Sequence, residues 1–270
     1  MEEKILILGG DVRNEKLFYE LKHRGYETEY FSDAYRENER AIKQQIQNTR
    51  FIVLPMALKE QRICGLDREQ IVSCCEKGTR LFCGTADRAW QTETEKRGIE
   101  LISLLNRETY ARENAYYTAE GALCLLQQKM QASLWQKRCV IVGSGRIAQN
   151  LFPMLKLHTP YLSVVARNRA MLAQFACWQA ETFTFDQQAE AFDGAEIVFN
   201  TVPEPVICPN VLNSMAEGGW YMELASAPYG CVWEEIPLGI NKLMSSGIPG
   251  KMFAVSAAKS MATAMLPYLK

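Results

Sequence analysis

The stretch Cys139-Val140-Ile141-Val142-Gly143-Ser144-Gly145-Arg146-Ile147-Ala148 decides the fold. Four apolar residues read as a short buried strand, the G-x-G-x-x-A that follows as a tight turn, and the apolar spacing of Leu151 and Leu155 as the helix that leaves it. That order is the one a dinucleotide-binding turn requires. Gly143 lets the chain turn, Gly145 omits the Cβ that would obstruct a pyrophosphate, and Ala148 lets the helix lie close to the strand. N–H groups of the first helical turn then face the phosphates, so Ser144, Arg146 and Ile147 join the glycines as cofactor-binding candidates. A glycine turn that binds nothing is the competing reading. Pro153 falls inside the expected helix and should kink it or cost about 3 kcal/mol.

The whole chain has 270 residues, 48% of them hydrophobic, and a formal net charge of -1. That is enough for two modest domains or one large one, and the near-neutral balance offers no basic face for nucleic acid. The nine cysteines include no C-x-x-C pair, and Cys74 and Cys75 are adjacent rather than spaced to grip a metal. They are expected to be buried thiols in a reducing cytoplasm. Met1-Glu2-Glu3-Lys4 runs straight into a strand, without the basic region and apolar core of a signal peptide, and no apolar run is long enough to span a bilayer. A cytoplasmic protein without membrane contact is therefore expected.

Upstream, strands and helices alternate. Lys4 to Leu8 reads as a strand ending on Gly9-Gly10-Asp11, with Asp11 placed to cap a helix carrying Leu17, Phe18 and Leu21. Strands near 26–31, 51–54, 81–83 and 99–102 then alternate with helices over 37–46, 68–76 and 86–96. This β-α alternation predicts a parallel, doubly wound sheet. The Gly9-Gly10 turn lacks the third small residue of a complete fingerprint, so this half, residues 1–117, reads as a substrate domain of flavodoxin or Rossmann type. The pattern breaks near Arg107, and Thr118 is expected to cap a connecting helix from Ala119 to about Met130 whose first turn lies at a cleft.

Residues 118–254 form the second, dinucleotide-binding Rossmann domain on this reading. Its second strand, 162–165, ends at Ala166-Arg167-Asn168-Arg169, roughly twenty residues beyond the glycines, where an NAD site would carry an acid for the ribose 2′-OH. Arginines stand there instead. Arg167 fits a 2′-phosphate through its forked guanidinium, which favours NADP over NAD; arginines solvated at a helix start are the alternative. Strands over 197–199, 220–224 and 240–244 feed Asn200-Thr201-Val202-Pro203, Ala225-Ser226-Ala227-Pro228-Tyr229-Gly230 and Ser246-Gly247-Ile248-Pro249-Gly250. Ligands of open α/β sheets sit beyond the carboxyl ends of the strands, so these three loops are expected around the nicotinamide, with Thr201, Val202, Pro203, Ala225 and Ser226 as cofactor contacts. The last helix, 255–270, is expected to return to the first domain.

Two sheet domains with one dinucleotide site suggest hydride transfer. Oxidation of a hydroxy acid in this layout usually needs a histidine base, yet the two histidines, His23 and His158, fall far from the expected site. A 2-hydroxyacid dehydrogenase is thereby disfavoured. Glu120 and Ser226 remain as catalytic candidates, and Gly10, Asp11, Arg13, Asn114 and Thr118 as substrate-binding ones. The commoner roles are a cap partner for Glu120 and a solvated surface cation for Arg13.

Taken together, these motifs resemble the A-type subunit of dipicolinate synthase over nearly the whole chain. The likeness rests on Ile7-Leu8-Gly9-Gly10-Asp11 with Arg13, Val53-Leu54-Pro55, Asn114 followed by Thr118-Ala119-Glu120-Gly121, the Gly143 to Ala148 turn with Arg146, and Ala166-Arg167. It continues in Asn200-Thr201-Val202-Pro203, Leu224-Ala225-Ser226 with Pro228 and Gly230, and Gly247-Ile248-Pro249-Gly250. The resemblance implies an NAD(P)-dependent cytoplasmic oxidoreductase of sporulation that makes a pyridine dicarboxylate from dihydrodipicolinate. It also implies a second, flavoprotein-like partner protein. A homo-oligomer is expected as well. One departure stands out: the family is expected to carry Pro-Lys-Thr-Ala-Gly after the Gly-Pro-Gly loop, where this chain has Ala254-Val255-Ser256-Ala257-Ala258. Alternatives are a reductase or dehydrogenase of another cyclic imine or keto acid, and a non-catalytic NADP-binding partner subunit.

Overall fold

The structure is a computed structural model that describes residues 4–33, 39–58 and 62–269. It divides into two compact units, Met1–Asn114 with Pro249–Lys270, and Ala115–Ile248.

In the first unit β1 (Ile5–Leu8), α1 (Val12–His23), β2 (Thr28–Phe31), α2 (Glu39–Gln47) and β3 (Phe51–Val53) follow in order. Next come β4 (Ala57–Leu58), α3 (Arg68–Cys74), β5 (Arg80–Cys83), β6 (Thr85–Ala86), α4 (Arg88–Lys96) and β7 (Glu100–Ser103). The start of the helix expected over 37–46 lies outside the described residues. The main sheet is parallel throughout, in the order β2-β1-β3-β5-β7, a flavodoxin-like doubly wound arrangement; β4 and β6 pair separately and were not anticipated. All four residues of β1 are apolar because both faces are covered. Ile5 and Ile7 pack with Leu17 and Leu21 of α1 and with Met261 and Met265 near the chain's end, whereas Leu6 and Leu8 pack with Ile42, Ile46, Ile71 and Val72.

The helix α5 (Glu108–Met130) crosses the boundary between the units. It starts well before Ala119, so Thr118 is a buried residue in mid-helix rather than a cap. Residues 108–117 contain neither glycine nor proline to stop a helix, and Ala111 and Ala115 provide a small buried stripe along which it packs.

In the second unit β8 (Cys139–Val142), α6 (Arg146–Lys156), β9 (Leu162–Val165), α7 (Arg169–Cys177), β10 (Glu181–Phe183) and α8 (Gln188–Phe192) lead to β11 (Ile197–Asn200), β12 (Trp220–Glu223) and β13 (Asn241–Met244). The six strands are all parallel in the order β10-β9-β8-β11-β12-β13, the 3-2-1-4-5-6 order of the Rossmann fold. The sequence reading passed over β10, a three-residue strand with no fully buried position. α6 runs through Pro153 without a break, while Phe152 packs edge-on against Phe175 and stacks on Trp178. The loop expected at Gly247 to Gly250 is in part a short helix, α9 (Ile248–Met252), followed by α10 (Ala254–Met265). α10 lies in the first unit against α1, where Arg24 donates to Thr263 Oγ1.

No helix among the described residues is long and apolar enough to cross a membrane, and no cluster of histidine, cysteine or acidic residues there could hold a metal ion. The cysteines are all free thiols, but contrary to expectation Cys124, Cys177 and Cys208 are exposed.

Candidate functional site

β8 is the strand at which the second sheet reverses its winding, with β9 on one side and β11 on the other, and a ligand crevice opens where the two connections diverge. Its turn is shaped by close backbone approach. Gly143 has φ +111°, and its N–H donates to the Val165 carbonyl at 2.8 Å. A Cβ there would lie 2.2 Å from Thr201 Oγ1 and 2.9 Å from Val202 Cγ2, so only glycine fits. Thr201 is fixed in turn, since its N–H and its hydroxyl both donate to the Val142 carbonyl, at 2.9 and 2.8 Å. Gly145 differs: a Cβ on it would meet nothing within 4 Å, which is free space beside the turn.

Gly145 is also the N-cap of α6, and no side chain caps that first turn. The N–H groups that open a helix and the positive end of its dipole suit a phosphate at this position. A cavity of about 240 Å³ opens beside it, lined by Gly143, Ser144, Ala166, Arg167, Asn168, Phe185, Val202, Pro203, Glu204 and Val206. The residues present thus fit the nucleotide half of a dinucleotide, with a glycine turn, an uncapped helix and a pocket in sequence. Most of the expected cofactor residues line this cavity or the turn that borders it. Phe185, which follows the unrecognised β10, Glu204 and Val206 were missed.

Within the arginine window, Arg167 is exposed at the cavity rim, whereas Asn168 accepts from the N–H groups of Ala170 and Met171 and caps α7. Arg169 faces Asp186, whose carboxyl is held below the usual range by the Thr184 hydroxyl, by its own backbone N–H and by the arginine charge. Of the two arginines, Arg167 is the one that borders the cavity.

Ala225 and Ser226 are not among the cavity's lining residues; they begin the loop after β12. Beneath that loop lies Glu223, 1% exposed. Its Oε1 accepts from Asn200 Nδ2 at 2.7 Å and Ala225 N at 2.9 Å, and its Oε2 from the Tyr221 hydroxyl at 2.8 Å and Gly230 N at 3.0 Å. Burial and the carboxylate push the Tyr221 hydroxyl well above its ordinary pKa, and burial raises the neighbouring Cys231 thiol. Sequence reading overlooked Glu223 because an acid in a Trp-Tyr-Met-Glu-Leu run looks like a strand-end surface residue. A tyrosine two residues before it and an asparagine ending β11 were the available signals.

The first unit treats its own glycine turn in another way. Gly9 donates to the Phe31 carbonyl at 2.7 Å, and Gly10 donates to Asp33 Oδ2 at 3.1 Å. The Asp33 carboxylate also accepts from Cys64 N at 2.9 Å. Gly10 is therefore not an open donor for a substrate carboxylate, because an internal carboxylate already takes its N–H. A fully buried Asn14 packs against Gly10, with its Nδ2 3.4 Å from the Leu54 carbonyl.

Arg13 is likewise not a solvated cation. It is 8% exposed, and its Nε and Nη2 hold Asp11 at 2.9 and 2.6 Å. Asp11 caps α1 as expected, accepting from Arg13 N. Burial raises its carboxyl, but the bonds and charge of Arg13 outweigh that and leave it below the ordinary value. Gly250 closes over the pair: a Cβ there would lie 2.7 Å from Arg13 Nε and 2.8 Å from Asp11 Oδ2.

On α5, Asn114 and Thr118 are four residues apart and share one face, while Glu120 points to another side. Glu120 is half-buried in mid-helix, not in a first turn, so the helix-end stabilisation expected for it does not apply.

No protein-family model matches the chain. Among curated proteins, the A-type subunit of dipicolinate synthase from Bacillus subtilis (strain 168) is 24% identical over 186 residues, which is 68% of this chain and 63% of that protein. The match thus spans less than two thirds of the relative's length. Among solved structures, the corresponding dipicolinate synthase protein from Bacillus halodurans superposes with a TM-score of 0.86 at 21% identity, covering 100% of this chain and 98% of the other. The NAD+-bound 3-phosphoglycerate dehydrogenase of Entamoeba histolytica gives a TM-score of 0.64 at 10% identity, covering 100% of this chain and 95% of the other. The chain accordingly bears out the likeness drawn from its motifs: it resembles the A-type subunit of dipicolinate synthase in sequence, and it has the two-sheet fold of that protein and of Rossmann-type dehydrogenases.

Proposed function

We propose that the chain is an NADP-dependent dehydrogenase that oxidises dihydrodipicolinate to dipicolinate. The observation that carries this is the cavity beside the Gly143 turn, which leads from the uncapped start of α6 to Arg167. A guanidinium fork at the rim suits a 2′-phosphate, so NADP is favoured over NAD. The likeness to dipicolinate synthase supplies the substrate.

A bound NADP would accept the hydride. Loss of that hydride and one proton turns the dihydropyridine into an aromatic ring, so the product supplies much of the driving force and a modest base suffices. Ser226, exposed on the loop that Glu223 anchors, and Glu120, half-buried on α5, are the candidate proton carriers. Asn114 and Thr118 are candidate substrate contacts. Asp11 and Arg13 act as one unit in this reading, and Gly10 contributes shape rather than its N–H.

A related reading, oxidation or reduction of another cyclic imine or keto acid, is favoured by two observations. Ala254 to Ala258 stand where the family is expected to carry a lysine, and Arg13 is committed to Asp11 rather than open to a dicarboxylate. A non-catalytic NADP-binding subunit is the third reading, motivated by the lack of any evident acid or base in the sequence. A homo-oligomer working with a flavoprotein-like second subunit in the cytoplasm of a sporulating cell completes the proposal.

The purified chain, given NADP+ and enzymatically generated dihydrodipicolinate, is expected to form NADPH and the pyridine product in equal amounts. Nucleotide binding without turnover, even with a flavoprotein partner added, would favour the non-catalytic reading.

A further inference from the structure

Buried carboxylates are costly unless every oxygen lone pair finds a donor, and Glu223 meets that condition with four. The donors come from separate stretches: Asn200 at the end of β11, Tyr221 within β12, and the N–H groups of Ala225 and Gly230 at the two ends of one loop. Asn200 passes the constraint onward. Its Oδ1 accepts from Val202 N at 3.1 Å and its Nδ2 also donates to the Val202 carbonyl at 2.9 Å, while Val202 lines the cavity and stands against Gly143. Gly230 is held equally closely, since a Cβ on it would lie 2.3 Å from Asn200 Nδ2.

We infer that Glu223 is a positioning residue for the dinucleotide, fixing the 200–203 and 225–230 loops as one rigid rim without touching the ligand. The inference rests on the dinucleotide-binding reading above. A neutral amide at this position could still accept from Asn200 and Ala225, but its NH2 would face the Gly230 N–H, donor against donor. The Tyr221 hydroxyl can rotate its proton away, whereas a backbone N–H cannot. Glu223→Gln should therefore free the far end of the 225–230 loop while sparing β8 and α6.

The test compares the wild-type chain, Glu223→Gln, Glu223→Asp and Tyr221→Phe by calorimetric titration with NADP+ and by amide hydrogen exchange. Glu223→Gln is expected to bind NADP+ roughly tenfold more weakly, with faster exchange at Gly230, the N–H left without its acceptor, and unchanged exchange in β8. Tyr221→Phe leaves the three loop donors bonded and should keep wild-type affinity. If Glu223→Gln does not fold, Glu223→Asp, whose shorter side chain cannot reach all four donors, is expected to show the same pattern. Loosened loops with unchanged NADP+ affinity would overturn the inference alone. A wild-type chain that binds neither NADP+ nor NAD+ would instead overturn the dinucleotide reading, and this inference with it.

Discussion

Thr201 stands where a side chain on Gly143 would have to go, its Oγ1 2.2 Å from the position of the missing Cβ. Two residues separated by 58 positions thus share one volume at the mouth of the second sheet. Gly143→Ala must displace Thr201 or distort the turn, and the positive φ alone adds strain on the order of 1–3 kcal/mol. The variant should melt several degrees lower and bind no nucleotide. An unchanged melting temperature would show that the turn tolerates a side chain.

Gly145 provides the contrast. Because a Cβ on it meets no protein atom within 4 Å, Gly145→Val should fold with near wild-type stability and lose NADP+ binding. Retained binding, measured by fluorescence titration, would place the phosphates somewhere else.

Arg167 is the cation at the cavity rim. A charge-assisted contact to a 2′-phosphate is worth about 1.5–3 kcal/mol, so Arg167→Ala should weaken NADPH binding by roughly tenfold to a hundredfold and NADH binding much less. Equal losses for the two nucleotides would remove the 2′-phosphate from the rim.

The Asp11 carboxyl has its pKa lowered in the fold, so the pair with Arg13 stabilises above the unfolded-state value near 4 and loses that contribution as pH falls through the folded value. Arg13→Leu should raise the Asp11 pKa, followed by carbon-13 NMR of the carboxyl, and should lower stability at pH 7 more than at pH 3. Asp11 is partly exposed, so the effect is modest. An Asp11 titration unmoved by the substitution would separate the two residues.

Burial pushes the Cys64, Cys75 and Cys139 thiols up to about 12 and Cys83 up to about 11. At pH 8 these four should resist a thiol reagent in the folded chain, while Cys124, Cys177 and Cys208 react quickly. Mass spectrometry after a short pulse checks the pattern, and early labelling of Cys139 would contradict it.

The fingerprint was readable because its requirements are local: an apolar strand, two glycines and a small residue at fixed offsets. Parallel sheets announced themselves equally well, since strands covered on both faces, such as Ile5 to Leu8, leave unbroken apolar runs. What escaped the sequence depends on contacts between distant positions. Arg13 looks like a surface cation until Gly250 and Asp11 enclose it, and Gly10 looks like an open donor until Asp33 arrives from the end of β2. The early start of α5 was hidden because residues 108–117 signal a helix only by lacking anything that would stop one. Glu223 required Asn200, Tyr221 and Gly230 to be seen together.

Each of the two parallel sheets ends its first strand in a glycine turn, and in the proposed reading it is the Gly143 turn that receives the nucleotide. In the first unit Asn14 and Asp33 act as built-in tenants of the space around Gly9 and Gly10. Saturation should come at a single equivalent of dinucleotide per polypeptide, which leaves that other sheet edge free for work in which no adenosine takes part.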